Sequence, residues 1–239
     1  MTANAPSPSD PYRRARGWLK AADRLEGPAL WLGASSSWLM LGLALLIVFD
    51  AFGRRYIRNW SFVVENNWHF LINSPVIQDG EWHLHTIVTF CALGYAYARN
   101  AHVRLDLVRP SFKPRSKLWV EWLGGLVLCL PFLVIFCGYA YQYFYLAWLV
   151  DESSGDSNGI NHRWFIKFFI FLGPLSLLGA ALAGIIRQTV RLFGPEALQS
   201  ETKTGHITAD SHSAYSLGVR SFGTWWRQWS HPQGGPVLL

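Results

Sequence analysis

The chain has 239 residues, of which 51% are hydrophobic and only 15% are charged, and its formal net charge is +6. An apolar content this high excludes an ordinary soluble domain and is typical of a protein that crosses the membrane several times. The basic residues lie in the connections between apolar runs, not on a soluble basic domain, which argues against nucleic-acid binding.

The first element is a long apolar run that follows a basic N-terminal segment. We predict that residues 1–27 form a cytoplasmic segment and that residues 28–49 form the first membrane span. The run is too long for a signal peptide, and no small-residue cleavage pattern follows it. The N-terminal segment therefore leads into a retained anchor.

The connection after this span carries its own pattern of apolar residues at helical spacing. Trp60, Val63, Val64, Trp68 and Leu71 recur in this way, with polar residues between them. The pattern predicts an amphipathic helix over Trp60–Leu71, lying in the outer membrane interface.

Three more runs satisfy the requirement of about 20 helical residues for a membrane crossing. We predict spans over residues 82–98, 118–150 and 164–187, which with the first span make a membrane domain over residues 28–192. The third run exceeds the bilayer thickness and contains Pro131, so we expect a tilted or Pro-kinked helix. Residues 193–239 form a tail that contains tryptophan, and we predict that it is cytoplasmic.

Basic residues decide the orientation of the spans. The N-terminal segment and the connection over residues 99–117 are rich in arginine and lysine, and Arg187 and Arg191 follow the fourth apolar run, whereas the connection over residues 150–163 carries Arg163 alone. By the positive-inside rule, both termini are cytoplasmic. The predicted fold is therefore an all-α integral membrane protein with four transmembrane helices and an interfacial helix between spans one and two.

The polar block after span two holds the sharpest candidates for a surface role. On a helix, His102 and Asp106 share a face and pair, while Arg104 points elsewhere, toward a lipid phosphate or the carboxylate of a partner. In the structural interpretation, these residues form a charged cluster that ends the span and fixes its depth in the membrane. The alternative is a proton relay through His102.

The outer ends of the spans supply further candidates for contact with lipid or a partner protein. Glu81 and Trp82 open the second span, and Lys167 lies just inside the fourth. Lys167 either extends to the membrane surface or pairs with Glu81, Asp151 or Glu152.

Small residues in the fourth span predict close helix packing. Two overlapping pairs of small residues spaced four apart, Gly179 with Ala183 and Ala180 with Gly184, allow two helices to approach closely. This face packs either within the four-helix bundle or against another protein.

Neither a metal nor a cofactor site is predicted, and we do not expect an enzyme. His83 and His85 are two residues apart, so on a helix their rings diverge and do not chelate a metal ion. A haem normally needs facing histidines inside the membrane, which this pattern lacks. The alternative redox interpretation uses His83 with His69 and His162, which lie on the outer side. The three cysteines lie in apolar runs and behave as small core residues.

No span carries an ionised residue at its centre. A protein that moves anions by itself normally has polar groups and broken helices at mid-membrane. The pattern therefore indicates an accessory subunit and not a stand-alone transporter.

The chain from about residue 30 to residue 192 resembles the small membrane subunit of tripartite ATP-independent periplasmic (TRAP) transporters, in its longer variant. The residues that carry the resemblance are Glu81-Trp82, Gly94-Tyr95, His102-Val103-Arg104-Leu105-Asp106, Leu130-Pro131-Phe132, Glu152-Ser153-Ser154, Gly159, Lys167 and Gly173-Pro174. The Trp-rich C-terminal extension departs from the family pattern.

The resemblance implies a non-catalytic subunit in the bacterial inner membrane. Its partners would be a large membrane subunit, which carries the substrate and sodium sites, and a periplasmic solute-binding protein. Its role would be to brace the fixed domain during an elevator-type uptake of organic acids. The alternative is an accessory subunit of the same fold packed against a respiratory or photosynthetic complex.

Overall fold

The computed structural model describes residues 10–57, 59–67, 75–101, 112–155, 159–202 and 204, and all regular structure among them is helical. The helices are α1 (Asp10–Phe52), α2 (Ser61–Glu65), α3 (Pro75–Ala98), α4 (Pro114–Leu149) and α5 (Trp164–Phe193). A π-helical turn over Gly53–Ile57 extends α1, and a 3-10 turn over Glu196–Thr202 follows α5.

Within the described part of the chain, three helical segments are long and apolar enough to cross a membrane. They are Pro11–Ile57, Pro114–Leu149 and Trp164–Phe193. Helix α3 has 24 residues but is not among them. Its first turns hold Asp79, Glu81, His83 and His85, which lower the apolar character of the helix.

Helix α1 begins at Asp10, well before the predicted start of the first span, and continues through Pro28. Its N-terminal part is helical because one face is buried: Ala15 and Leu19 form an apolar cluster with Val190 and Leu198 from the end of α5 and the turn after it. At 1.5 Å per residue its 43 residues extend about 65 Å, roughly twice the hydrocarbon thickness of about 30 Å. Helix α1 is therefore longer than one membrane crossing requires.

The irregularity in α4 has an identifiable cause. A π-helical turn over Gly125–Cys129 interrupts the α-helix immediately before Pro131. Proline has no N–H to donate and its ring crowds the carbonyl of the preceding turn, so a widened turn lets the helix pass it. The proline predicted to perturb this span thus lies directly beside the irregular turn.

The first connection contains only a short helix among its described residues. Helix α2 has five residues, of which Val63 is buried while Phe62 and Val64 are exposed. Trp68 and Leu71, the C-terminal part of the predicted Trp60–Leu71 helix, lie outside the described residues. The longer interfacial helix stays a prediction.

Helices α1, α3 and α5 pack against one another, and α4 packs chiefly against α5. The long helices alternate in direction. The end of α5 meets the start of α1 through Arg187 and Glu26. It meets the start of α4 where Trp122 Nε1 donates to Thr189 Oγ1 at 2.8 Å.

The end of the bundle where the starts of α1 and α4 meet the end of α5 carries most of the arginine and lysine. We call it the basic end. The opposite end holds the last turns of α1 and α4 and the first turns of α3 and α5.

Candidate functional site

A cavity of about 200 Å³ opens between α3, α4 and α5 at the opposite end of the bundle. Its lining combines charged, polar and aromatic side chains. The residues that line it are Trp82, His83, Thr86, Tyr143, Glu152, Arg163, Ile166, Lys167 and Ile170. Three of the candidates named from sequence (Trp82, Glu152 and Lys167) therefore come together here.

Lys167 is buried in this cavity and does not extend to the surface. Its side chain is 9% exposed and forms an ion pair with Glu152, which follows α4. Its Nζ also lies 3.9 Å from the centroid of the Tyr143 ring. Of the three carboxylates that were candidates for Lys167, the structure selects Glu152, because Asp151 pairs with His162 and Glu81 lies beside α1.

We expect Lys167→Met to weaken the contact between the end of α4 and the start of α5. The change removes one partner of a charged hydrogen bond, which costs about 1–3 kcal/mol when the other partner stays partly buried. Thermal unfolding of the purified protein measures the effect. Lys20→Met, at an exposed position on α1, is the matched control; equal losses in both variants would contradict the assignment.

Asp79 ties the third connection to α3. Its Oδ2 accepts the backbone N–H of Ile160 at 2.9 Å, and the Nδ1 of His83 contacts its backbone oxygen at 2.5 Å. Burial raises the pKa of Asp79, but the hydrogen bonds from Ile160 and Ser154 and the positive charge of Arg163 outweigh burial. The net result is a pKa below the ordinary aspartate value.

This lowered pKa makes the contact sensitive to acid. A carboxyl group whose pKa is lower in the folded chain stabilises the fold above its unfolded pKa, and the stabilisation is lost as the pH falls through the folded value. We expect the Ile160 amide to lose protection under such acidic conditions, measured against the intrinsic exchange rate at each pH. Above that pH range, the Ile160 amide of Asp79→Ala should exchange roughly ten- to hundred-fold faster than that of the wild type, the equivalent of one charged hydrogen bond, and the difference should vanish in acid.

Hydrogen exchange read by mass spectrometry over residues 159–163 tests this expectation. Glu65→Ala removes an exposed carboxylate at the same end of the bundle and is the control. Unchanged exchange in Asp79→Ala would show that the carboxylate does not hold the connection.

A second polar cluster, at the same end of the bundle as Asp79, joins α1 to α3. Asp50 is 2% exposed, and its Oδ2 accepts a hydrogen bond from Arg54 Nη2. Glu81 lies within hydrogen-bonding reach of Asp50. Glu81 thus contacts another helix of its own chain.

The small residues predicted as a packing face lie inside the bundle. An atom placed as Cβ on Gly179 would lie 3.0 Å from the Leu25 carbonyl oxygen of α1, and one on Gly184 would lie 3.4 Å from the Tyr97 hydroxyl of α3. Ala183 is fully buried. Of the two readings left open, the structure supports packing within the bundle.

A buried ion pair at the basic end was not found from sequence. Arg187 donates to Asp23 Oδ1 at 2.8 Å and also to Glu26, so the end of α5 is fixed to α1. The sequence pattern indicated Arg187 only as an orientation signal. The available clue was the pair of acids three residues apart, Asp23 and Glu26, within an otherwise basic segment.

The structure does not test several of the candidates. His102, Arg104 and Asp106 lie outside the described residues, as does His69. Among the described residues, no group of three or more His, Cys, Asp or Glu side chains is placed to hold a metal ion.

Helix α4 leaves an apolar and aromatic surface uncovered. Its side toward α5 buries Leu133, Cys137 and Ala140. The remaining sides expose large residues, among them Leu128, Phe132, Ile135, Tyr139, Tyr145 and Trp148. A contiguous surface of this kind faces either lipid or another protein.

The family model described as "Tripartite ATP-independent periplasmic transporters, DctQ component" matches residues 70–193. The match covers α3, α4 and α5 and therefore the whole cavity. Comparison with curated proteins and with solved structures gave no match.

Proposed function

Since this chain belongs to the DctQ family of TRAP transporter components, we propose that it acts as a non-catalytic scaffold subunit for the uptake of organic acids. Membership confirms the predicted resemblance over residues 70–193. The chain is a small permease subunit, and such transporters also contain a large membrane subunit and a solute-binding protein. It is an integral protein of the inner membrane.

We propose that four helices cross the membrane, with both termini in the cytoplasm. Three of them are long and apolar enough by themselves. The fourth, α3, lies against α1 and α5, and most of its side chains are only partly exposed. Because neighbouring helices shelter it, its polar first turns are compatible with a span over residues 82–98.

The distribution of charge supports this orientation. The basic end carries the arginine-rich start of α1, the connection after α3 and Arg187 and Arg191 of α5. The positive-inside rule places such an end in the cytoplasm. The cavity around Lys167 would then lie at the periplasmic boundary, close to where a solute-binding protein docks.

The observation that carries the scaffold role is the exposed side of α4. A helix that packs chiefly against α5 leaves most of its aromatic surface free for a second protein. We propose that this surface meets the large membrane subunit. The loop over Asp151–His162, beside the cavity, is proposed as a contact for the solute-binding protein.

Two glycines give a matched test of the α4 surface. Gly138 on α4 and Gly42 on α1 are both exposed, and a Cβ at either position would meet no atom within 4 Å. Leucine at either site should leave the isolated subunit stable. We expect Gly138→Leu to reduce recovery of the complex with the large subunit, and Gly42→Leu to leave it unchanged.

Co-purification with a tagged large subunit is the measurement, with uptake of organic acids into vesicles as the second readout. Full recovery of the complex with Gly138→Leu would show that α4 is not the contact surface. Uptake by vesicles that contain this chain alone would contradict a scaffold role. Recovery with pigment- or haem-bearing subunits in place of a large transport subunit would favour the alternative complex.

A further inference from the structure

Two buried carboxyl oxygens on neighbouring helices lack a hydrogen-bond partner. They are Oδ1 of Asp50 on α1 and Oε1 of Glu81 on α3. Buried polar atoms are nearly always paired, so each unpaired atom asks for a physical explanation. That two such atoms belong to adjacent side chains suggests a single explanation for both.

The charges around the pair do not balance if both carboxyl groups are ionised. Arg54 pairs with Asp50 Oδ2 and brings one positive charge, while the two carboxylates bring two negative charges. Two carboxylates held in contact in a poorly hydrated site repel each other. One proton between them removes the second negative charge and supplies the missing donor, forming a strong O–H···O⁻ hydrogen bond.

Several other charged groups of the described residues at this end have contacts away from the pair, and His85, four residues after Glu81, is exposed. Asp79 and His83, each two residues from Glu81, lie on other sides of α3, and the His83 ring contacts the Asp79 backbone oxygen. Across the bundle, Lys167 of α5 is paired with Glu152, and Arg163 lies at the cavity near Asp79. Arg54 is thus the cation that acts on Asp50 and Glu81.

We propose that Asp50 and Glu81 form a proton-binding site that links α1 to α3 when one proton is bound. Loss of the proton leaves two adjacent carboxylates, and their repulsion separates the ends of the two helices. The chain between these ends is the first connection, so its anchoring depends on the proton. The proposal concerns the isolated subunit and does not depend on the proposed transport role.

The direction of the pH effect follows from proton linkage. The folded protein retains a proton that the two separated carboxyl groups release in the unfolded chain. Stability from the link is therefore fully present at low pH and decreases as the pH rises through the titration of the folded pair. This direction is opposite to that expected for Asp79.

Infrared spectroscopy of the purified full-length protein observes the proton directly. We expect a C=O band of a protonated carboxyl group that persists above the pH at which exposed carboxyl groups ionise and that disappears on raising the pH further. The band should be absent in Glu81→Gln and in Asp50→Asn, and present in Glu65→Gln, which changes an exposed carboxylate. A wild-type protein without the band, or a band that survives in Glu81→Gln, would overturn the proposal.

Thermal unfolding against pH supplies an independent readout should Asp50→Asn fail to fold. The transition temperature of the wild type should fall by a few degrees as the pH rises through the titration. The Glu81→Gln amide donates a hydrogen bond to Asp50 at every pH. The transition temperature of this variant should therefore not fall over the same pH range. Equal pH dependence in the two proteins would contradict a shared proton.

A sodium ion held between the two carboxylates is the competing occupant. It is tested by exchanging sodium chloride for choline chloride at constant ionic strength. Stabilisation by sodium together with a missing carboxyl band would show that a sodium ion, and not a proton, lies between the two carboxylates. Equal stability in both salts, with the band present, supports the proton.

Discussion

Replacing Arg187 with alanine is expected to destabilise the helical bundle by about 3–5 kcal/mol, the usual cost of removing one partner from a buried ion pair. The Arg187 side chain is 10% exposed and the Glu26 side chain 11% exposed. After the substitution the Glu26 carboxylate stays between α1 and α5 without its counter-charge. Thermal or denaturant unfolding of the purified protein should show the loss.

Two further variants separate this effect from a general loss of charge. Arg16→Ala removes an exposed arginine from the same part of α1 and should change stability by less than about 0.5 kcal/mol. The double variant Arg187→Met with Glu26→Met replaces the pair by apolar side chains and should recover most of the loss, since no buried charge is left unpaired. If the double variant is no more stable than Arg187→Ala, the loss does not arise from the buried charge.

Replacing Gly94 with leucine should also have a large effect, because this position is where α1, α3 and α5 meet. A Cβ on Gly94 would lie 2.7 Å from Ser176 Oγ and 2.8 Å from the Ala29 Cβ, both closer than normal contact. Overpacking of a dense interior costs about 1–3 kcal/mol even for small additions. We expect Gly94→Ala to fall in this range and Gly94→Leu to prevent assembly of the bundle.

Gly42→Ala is the matched control for this position. It lies on an exposed side of α1 with no atom near its missing Cβ, so alanine should be neutral or stabilising by up to about 1 kcal/mol. The yield and melting temperature in detergent distinguish the two sites. A Gly94→Ala protein as stable as Gly42→Ala would show that the three helices are not in close contact there.

The two polar clusters at the opposite end of the bundle are expected to respond to pH in opposite directions. The Asp79 contact weakens in acid, whereas the proposed Asp50–Glu81 link weakens in base. Together they would hold the first and third connections firmly only over an intermediate range of pH. For a subunit whose outer surface receives a soluble partner, such a range would set the conditions for docking.

Individual residues show which parts of the fold the sequence can predict. The apolar runs predicted spans over 118–150 and 164–187, and the structure has helices over Pro114–Leu149 and Trp164–Phe193, since burial or lipid exposure requires a continuous apolar stretch. The earlier start of α1 also had a signal, because Ala15, Leu19 and Ala22 recur at helical spacing. That signal was weak because small residues and exposed arginines surround it.

The sequence by itself determined an all-helical membrane protein, its family and the separation of its charges between the two ends, since each depends on local composition or a local motif. The tertiary structure alone decided which charges meet: Lys167 with Glu152, Glu81 with Asp50, and Arg187 with Glu26. Partners such as Arg187 and Glu26 are far apart along the chain, and their contact depends on how helices pack. Periodicity fixes the face of a helix, but only packing fixes its neighbour.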